Sequence, residues 1–164
     1  MSLKIGFIGA GQMATALAQG FVASQENDDG PTISFFDPSP EACNHFSKSV
    51  LAATLLADAS EVVATADIVF LAVKPQILPA VLDSIATVVT TDVLLVSIAA
   101  GVTLDIICGR TGSDRVIRVM PNTPCLVSKA ATAFSPARGA TATDCAAVHN
   151  LLDSVGITYQ LSEQ

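Results

Sequence analysis

The sequence predicts an α/β fold, a doubly wound and mostly parallel sheet with helices on both faces. Short runs of Ile, Val, Leu and Phe alternate along the chain with segments of helical periodicity. The runs are continuously apolar, which is typical of strands buried on both faces of a parallel sheet. Repetition of strand, helix and strand then places helices on both sides of that sheet. At 164 residues the chain is expected to form one domain, residues 1–164.

The elements follow from these patterns in chain order. Five strands are predicted before residue 122, at Lys4–Ile8, Ile33–Phe36, Ile68–Val73, Val93–Ser97 and Val116–Met120. Helices are predicted between and after them, at Gln12–Ser24, Pro40–Ser49, Ala59–Thr65, Leu78–Val88 and Leu104–Cys108. The carboxylate of Asp58 is placed to accept a hydrogen bond from the amide of Glu61 and so begin a helix. The last elements are predicted as a strand, a helix and a strand, at Ala131–Ser135, Thr143–Val155 and Ile157–Leu161.

Composition narrows the classes of function. The chain is 51% hydrophobic with a net charge of −7, so neither disorder nor a nucleic-acid-binding surface is expected. No apolar run is long enough to span a membrane, and we expect a cytoplasmic protein. Gln12 interrupts the N-terminal apolar run and disfavours a secretory signal. The four cysteines lack metal-site spacing, so no metal is expected and buried, reduced thiols are predicted at Cys43, Cys108, Cys125 and Cys145.

The first strand runs into a loop that fits a dinucleotide-binding fingerprint, Gly9-Ala10-Gly11-Gln12-Met13-Ala14. Gly9 permits the tight turn, Gly11 lets a pyrophosphate approach the backbone, and Ala14 lets the helix pack closely on the sheet. The helix N-terminus offers free amides and the positive end of its dipole to phosphates. A glycine turn that only packs is the alternative. The position of the motif between a strand and a helix favours nucleotide binding and a Rossmann-like sheet.

The second strand ends at Asp37, which bears on the choice of cofactor. Asp37 follows Ala14 by 23 residues, near the spacing of the acid that binds the adenosine ribose. A carboxylate there accepts from the ribose hydroxyls and repels a 2'-phosphate, which favours NAD(H) over NADP(H). Two alternatives stay open. Asp37 could simply cap the turn before Pro38, and Ser39 could reach a phosphate, which would keep NADP(H).

Three further strand ends carry unusual motifs, LAVKPQ (71–76), SIAAGVT (97–103) and RVMPNTP (118–124). With the fingerprint, they resemble in order and separation the Δ1-pyrroline-5-carboxylate reductases, from Lys4 to about Ser162. The resemblance implies the family's N-terminal dinucleotide-binding domain and reduction of the C=N bond of pyrroline-5-carboxylate by NAD(P)H to give L-proline. It implies that the pyrophosphate is contacted by Ile8, Gly9, Ala10, Gly11, Gln12 and Met13. The nicotinamide end would be flanked by Ala72, Val73, Lys74 and Pro75, and the ribose or nicotinamide would be approached by Ala99, Ala100 and Gly101. The floor under the ring would be shaped by Pro121 and Asn122.

The strand-end residues suit such a ligand by their own chemistry. The small residues leave room for a flat ring. Lys74 carries a positive charge that would attract a carboxylate or a phosphate. Two of these strand-end residues have an alternative role. Lys74 could be a solvated loop lysine, and Asn122 could be a turn residue. His45 and His149 fall in helical patterns away from the strand ends. The proton donor, and hence any catalytic residue, therefore stays unidentified.

The chain departs from the family's pattern in two respects. Many members carry a small polar residue, suited to a 2'-phosphate, where this chain has Asp37. The family also continues into a helical domain of about a hundred residues that binds the substrate carboxylate and forms the dimer. We therefore expect this chain to bind cofactor with little or no turnover, as a monomer or weak dimer, whereas full-length members are homo-oligomers.

Two other classes of function stay open. One is a non-catalytic module that senses dinucleotides. The other is a related imine, β-hydroxyacid or deazaflavin-dependent reductase built on the same sheet.

Overall fold

The computed structural model describes residues 2–24, 30–122 and 129–163. Eight strands are formed by these residues: β1 Lys4–Ile8, β2 Thr32–Phe36, β3 Thr54–Leu55, β4 Ile68–Leu71, β5 Leu94–Ser97, β6 Val116–Met120, β7 Ala130–Pro136 and β8 Gly156–Gln160. Six helices accompany them: α1 Gln12–Ala23, α2 Pro40–Ser49, α3 Ala59–Thr65, α4 Leu78–Ile85, α5 Leu104–Thr111 and α6 Ala142–Asp153. The predicted α/β class is confirmed.

The strands form one sheet in the order β3-β2-β1-β4-β5-β6-β7-β8. Neighbours are parallel except β6 and β7, which run antiparallel with Ile117 opposite Pro136. The chain builds outward from β1 through β2 to β3 and then crosses back to place β4 on the other side of β1. The strand order therefore reverses between β1 and β4, and a crevice is expected outside their carboxyl ends.

The helices cover the sheet from both sides, as predicted for a doubly wound fold. On one side, which we call face A, helices α1, α2 and α6 bury residues such as Leu17, Phe46 and Leu152. On the other side, face B, helices α3, α4 and α5 bury residues such as Val62, Leu82 and Ile107. Buried apolar surface on both faces is the main stabilising contribution to a sheet of this kind.

The predicted elements are present, with shifts at their ends. Strand β4 ends at Leu71 instead of residue 73, and α4 ends at Ile85 instead of residue 88. Helix α5 continues to Thr111 instead of residue 108, because Gly112 ends it in a left-handed conformation with φ of 71°. The Asp58 carboxylate accepts from the Glu61 amide at 2.9 Å, as predicted. Strand β3 was not predicted, because its two residues are both exposed and carry no apolar run.

An ion pair joins helix α6 to the segment that leads into β6. The guanidinium of Arg115, just before β6, forms two hydrogen bonds with the carboxylate of Asp144 in α6, at 3.0 and 2.7 Å. Asp144 and Thr141 also form a capping box at the start of α6. The Arg115 hydrogen bonds, together with those of Thr141, lower the pKa of the buried Asp144 carboxyl to about 2.

The cysteines differ from the prediction in their exposure. Cys43, Cys108 and Cys145 are free thiols, as expected. Cys43 is buried, but Cys108 and Cys145 are half-buried, and each lines a surface cavity. The prediction of burial is wrong for these two, and Cys125 lies outside the described residues. Burial raises the pKa of both half-buried thiols, and Asp114 raises that of Cys108 further.

Candidate nucleotide-binding site

A cleft of about 330 Å³ opens at the carboxyl ends of β1, β4, β5 and β6, where the strand order reverses. It is lined by Gly11, Gln12, Met13, Ala14, Ala72, Val73, Lys74, Pro75, Ile98, Ala99, Ala100 and Pro121. All but Ala14 and Ile98 belong to the cofactor residues that the sequence predicts. Four separate strand ends thus bring the predicted motifs to one place.

Gly9 makes the sharp turn between β1 and α1. Its φ of 101° is a conformation that side chains disfavour. A Cβ atom at this position would lie 2.6 Å from the carbonyl oxygen of Ala72. The Gly9 amide donates to the carbonyl of Phe36 at 2.8 Å. Only glycine therefore lets the loop pass between the ends of β2 and β4.

Gly11, in contrast to the crowded Gly9, lies in open surroundings. It is the N-cap of α1 with an ordinary φ of −75°. A Cβ built there would meet no atom within 4 Å, so the space above the backbone is open. Within the described part of the chain no side chain caps α1, and its first turn carries no acidic residue. The open space, the uncapped amides and the positive end of the helix dipole suit a phosphate group.

Asp37 lies beside this loop, at the end of β2. One carboxylate oxygen accepts from the amide of Ala10 at 2.9 Å, and the other accepts from the amide of Ser39 at 2.8 Å. The turn-capping role that the sequence left open is therefore present. Each carboxylate oxygen has a second lone pair that can accept from a ligand. Ser39 itself is the N-cap of α2, where its hydroxyl accepts from the amide of Ala42 at 3.3 Å.

The other strand ends form the apolar wall of the cleft. The amide of Ala72 donates to Ile8 and that of Ile98 to Leu71, at 2.8 and 3.2 Å, so both segments stay paired past their strands. The buried Ser97 hydroxyl accepts from the amide of Ala99 at 3.3 Å and fixes the turn into the next loop. Lys74 is exposed, and it is the one ionisable side chain among the described residues that line the cleft.

Some predicted residues do not line this cleft. The base of the glycine loop is formed by Ile8, Gly9 and Ala10, below the cleft. On the β2 side of this loop lie Asp37 and Ser39. Gly101 lies further along the loop that follows β5. Asn122 accepts from the amide of Ala131 at 3.2 Å, which is the turn-residue alternative. Ile98 was missed as a lining residue, although its place inside the motif of residues 97–103 could have indicated it.

The two histidines lie away from the cleft, as predicted. His45 is exposed on α2. His149 on α6 pairs with Asp153 at 3.1 Å and packs its edge against Phe134.

A doubly wound sheet with a glycine turn, an open helix N-terminus and an apolar cleft at its switch point defines a Rossmann-like nucleotide-binding domain. A family model described as "NADP oxidoreductase coenzyme F420-dependent" matches residues 4–101, and the chain belongs to this family.

Comparison with individual proteins confirms the resemblance read from the motifs. The chain is 42% identical to the pyrroline-5-carboxylate reductase of Escherichia coli, over 99% of this chain and 60% of that protein. The pyrroline-5-carboxylate reductase of Coxiella burnetii superposes with a TM-score of 0.89 and 26% identity, over 100% of this chain and 60% of that one. The Plasmodium falciparum pyrroline carboxylate reductase with NADP bound gives 0.84 and 29%, over 98% and 58%.

The chain spans about 60% of the length of the relatives it matches. In the described residues, no helix has the length and apolar character needed to cross a membrane.

Proposed function

We propose that this chain binds NAD(P)H in the cleft and is the cofactor-binding domain of a reductase acting on Δ1-pyrroline-5-carboxylate. The observation that carries the proposal is the meeting of four motifs in one cleft at the switch point, beside open space at Gly11. The choice of substrate is supported by the relatives named pyrroline-5-carboxylate reductase, which match this chain over 99–100% of its length. The nicotinamide group would supply a hydride to the C=N bond of the substrate, which gives L-proline.

The chain's own residues would bind and orient the cofactor. The amides at the start of α1 and the backbone at Gly11 face a pyrophosphate without a competing cap. Ala72, Ala99 and Pro121 leave a flat, apolar space that excludes water from one side of a ring. The ammonium of Lys74 is exposed at the mouth of the cleft, where it would attract a substrate carboxylate or a phosphate.

Asp37 favours NAD(H) in this proposal. Its carboxylate is held by two backbone amides beside the loop and retains lone pairs for ribose hydroxyls. Its charge opposes a 2'-phosphate. Ser39 and the start of α2 would provide the compensating contact if NADP(H) were used.

The imine nitrogen must gain a proton during the reaction, and the described cleft residues offer only the ammonium of Lys74. The chain of 164 residues is therefore expected to bind cofactor while reducing pyrroline-5-carboxylate slowly or not at all. Substantial turnover by the purified chain would contradict this part of the proposal.

Paired calorimetric titrations of NADH and NADPH into the chain test the proposal. Saturable binding of either cofactor supports it, and tighter binding of NADH supports the role of Asp37. Binding of neither, by a chain shown to be folded, would contradict it. For an Asp37→Ser variant, Asp67→Ser is a suitable control, because the Asp67 carboxylate accepts from the amide of Lys4 at 2.9 Å, at the amino ends of β1 and β4 and away from the cleft.

A second candidate is a reductase that exchanges hydride between NADP(H) and a deazaflavin coenzyme. The description of the family model favours it. The strand-end motifs at residues 97–103 and 118–124, together with the pyrroline-5-carboxylate reductase relatives, favour the imine substrate instead. A titration of the chain with a deazaflavin in the presence of NADP⁺ distinguishes the two.

A further inference from the structure

Arg118 begins the motif at residues 118–124, but it does not line the cleft. Its side chain lies on face B, because Val116, two residues earlier on β6, belongs to the core of that face. The side chain is 16% exposed, and its guanidinium forms an ion pair with the carboxylate of Glu163 at 2.6 Å. A second nitrogen contacts the sulfur of Met120 at 3.6 Å. Glu163 is therefore the carboxylate partner of a largely buried charge.

The same carboxylate contacts the first turn of α5. Both of its oxygens accept from the amide of Leu104, at 3.2 and 3.1 Å. A negative charge at a helix N-terminus is favourable because of the helix dipole. We call the Glu163 carboxylate, the Leu104 amide and the Arg118 guanidinium the tail clamp. Glu163 is itself 20% exposed, so both charges of the clamp are largely withdrawn from water.

The tail clamp joins two segments that form the cleft wall. Leu104 follows directly on the loop of residues 98–103, which contributes Ile98, Ala99 and Ala100. Arg118 lies three residues before Pro121 on the same strand. In the sheet register Arg118 is opposite Ser97, the residue that fixes the start of that loop. The Glu163 carboxylate thus connects the end of the loop of residues 98–103 to the end of strand β6, just before Pro121.

We propose that Glu163 is a positioning residue for the cofactor cleft, acting through the tail clamp on the β5–α5 loop and the end of β6. The inference rests on the proposed binding of NAD(P)H. Loss of the carboxylate leaves a largely buried guanidinium without its partner, so β6 and α5 must readjust. Since coupling between two binding events is reciprocal, bound cofactor in turn holds Glu163 in place.

Calorimetric titration of NADH and NADPH into the wild-type chain and into Glu163→Gln tests the inference. The Gln side chain keeps the size but not the charge, and we expect the tighter cofactor to bind at least about threefold more weakly. Asp83→Asn is the matched control. It removes the carboxylate of the Asp83–Arg110 pair, 2.7 Å, which joins α4 to the far end of α5 and is exposed. Affinity in this control should stay within about twofold of wild type.

The double variant Glu163→Gln/Arg118→Gln adds a readout that general destabilisation does not give. If the clamp acts as a unit, the double variant binds cofactor no more weakly than the worse of the two single variants. Hydrogen exchange at the Leu104 amide should slow on cofactor binding in wild type, and this slowing should shrink in Glu163→Gln.

The outcomes separate the two proposals. Cofactor binding to wild type with equal affinity in Glu163→Gln overturns the positioning role and leaves the proposed function intact. A fall only in the unfolding midpoint, with affinity unchanged, also overturns it. Binding of neither cofactor to folded wild type overturns the proposed function, and the positioning role with it.

Discussion

The carboxylate of Asp37 at the end of β2 accepts a hydrogen bond from the amide of Ala10, 2.9 Å away in the glycine loop. A second bond, to the amide of Ser39 at 2.8 Å, fixes the other oxygen. Asp37 therefore holds the glycine loop in place through its own hydrogen bonds. The same negative charge stands where the ribose of a dinucleotide is proposed to bind. A single residue thus connects the order of the loop with the proposed choice of cofactor.

Replacement of Asp37 by Ser should shift cofactor preference. The variant removes the charge that opposes a 2'-phosphate, so the ratio of NADPH affinity to NADH affinity should rise about tenfold or more. Parallel titrations of both cofactors measure the ratio. Asp67→Ser, which removes a similar carboxylate–amide bond at the amino ends of β1 and β4, should leave the ratio unchanged. An unaltered ratio in Asp37→Ser would mean that Asp37 serves only to order the loop.

Two glycines of the loop should respond differently to alanine. In Gly9→Ala the added methyl group collides with the carbonyl of Ala72 and the φ of 101° is strained, so the free energy of unfolding should fall by about 1–3 kcal/mol. Gly11→Ala meets no atom within 4 Å and should leave stability nearly unchanged. It should nevertheless weaken cofactor binding, because the methyl group occupies the space proposed for the pyrophosphate.

Denaturant unfolding and cofactor titration of both glycine variants separate these effects. Normal cofactor affinity in Gly11→Ala would place the phosphates elsewhere.

The Arg115–Asp144 pair should make stability depend on pH in the acid range. The pKa of Asp144 is lowered from 3.8 to about 2 in the folded chain, so the charged carboxylate stabilises the fold above 3.8. This stabilisation, on the order of 2 kcal/mol, is lost as the pH falls from 3.8 towards about 2. Asp144→Asn should therefore be less stable than wild type at neutral pH, by a difference that shrinks across this range.

Urea unfolding at a series of pH values measures that difference. The exposed pair of Arg110 and Asp83 offers the control, since Asp83→Asn should change stability by less than about 1 kcal/mol at any pH. A difference for Asp144→Asn that does not vary with pH would contradict the assigned role of the ion pair.

Cys108 should react slowly with alkylating reagents. Burial, Asp114 and Asp105 all raise the pKa of its thiol, so less of the reactive thiolate is present at a given pH. Asp114→Asn should increase the rate of alkylation by iodoacetamide, measured at this residue by peptide mass spectrometry. The rate at Cys145, whose pKa is raised by burial and by Asp144, should not change in that variant.

Local patterns were sufficient to predict most elements. Continuous apolar runs indicated β1, β2, β4, β5 and β6, and helical periodicity, with a cap at Asp58, placed the helices between them. Strand β3 was missed because its two exposed residues have no pattern of their own and pair only with the neighbouring β2. The antiparallel pairing of β6 with β7 was also not predicted, since direction depends on the path of the intervening chain.

The motifs at the strand ends predicted the cleft because parallel strands bring their carboxyl ends to one edge of the sheet. The chemistry of each residue was harder to predict. Asn122 proved to bind the amide of Ala131, and Asp37 proved to bind two backbone amides.

By itself, the sequence determined the α/β class, the glycine turn and the identity of the strand ends, because these depend on neighbouring residues and on the regular geometry of a parallel sheet. The tertiary structure alone decided which distant polar and charged groups meet. Asp37 and Ala10 are 27 positions apart, Arg115 and Asp144 are 29, and Arg118 and Glu163 are 45. Such pairs leave no periodic trace in the sequence, because a hydrogen bond or an ion pair depends on distance in space, which only the packed chain fixes.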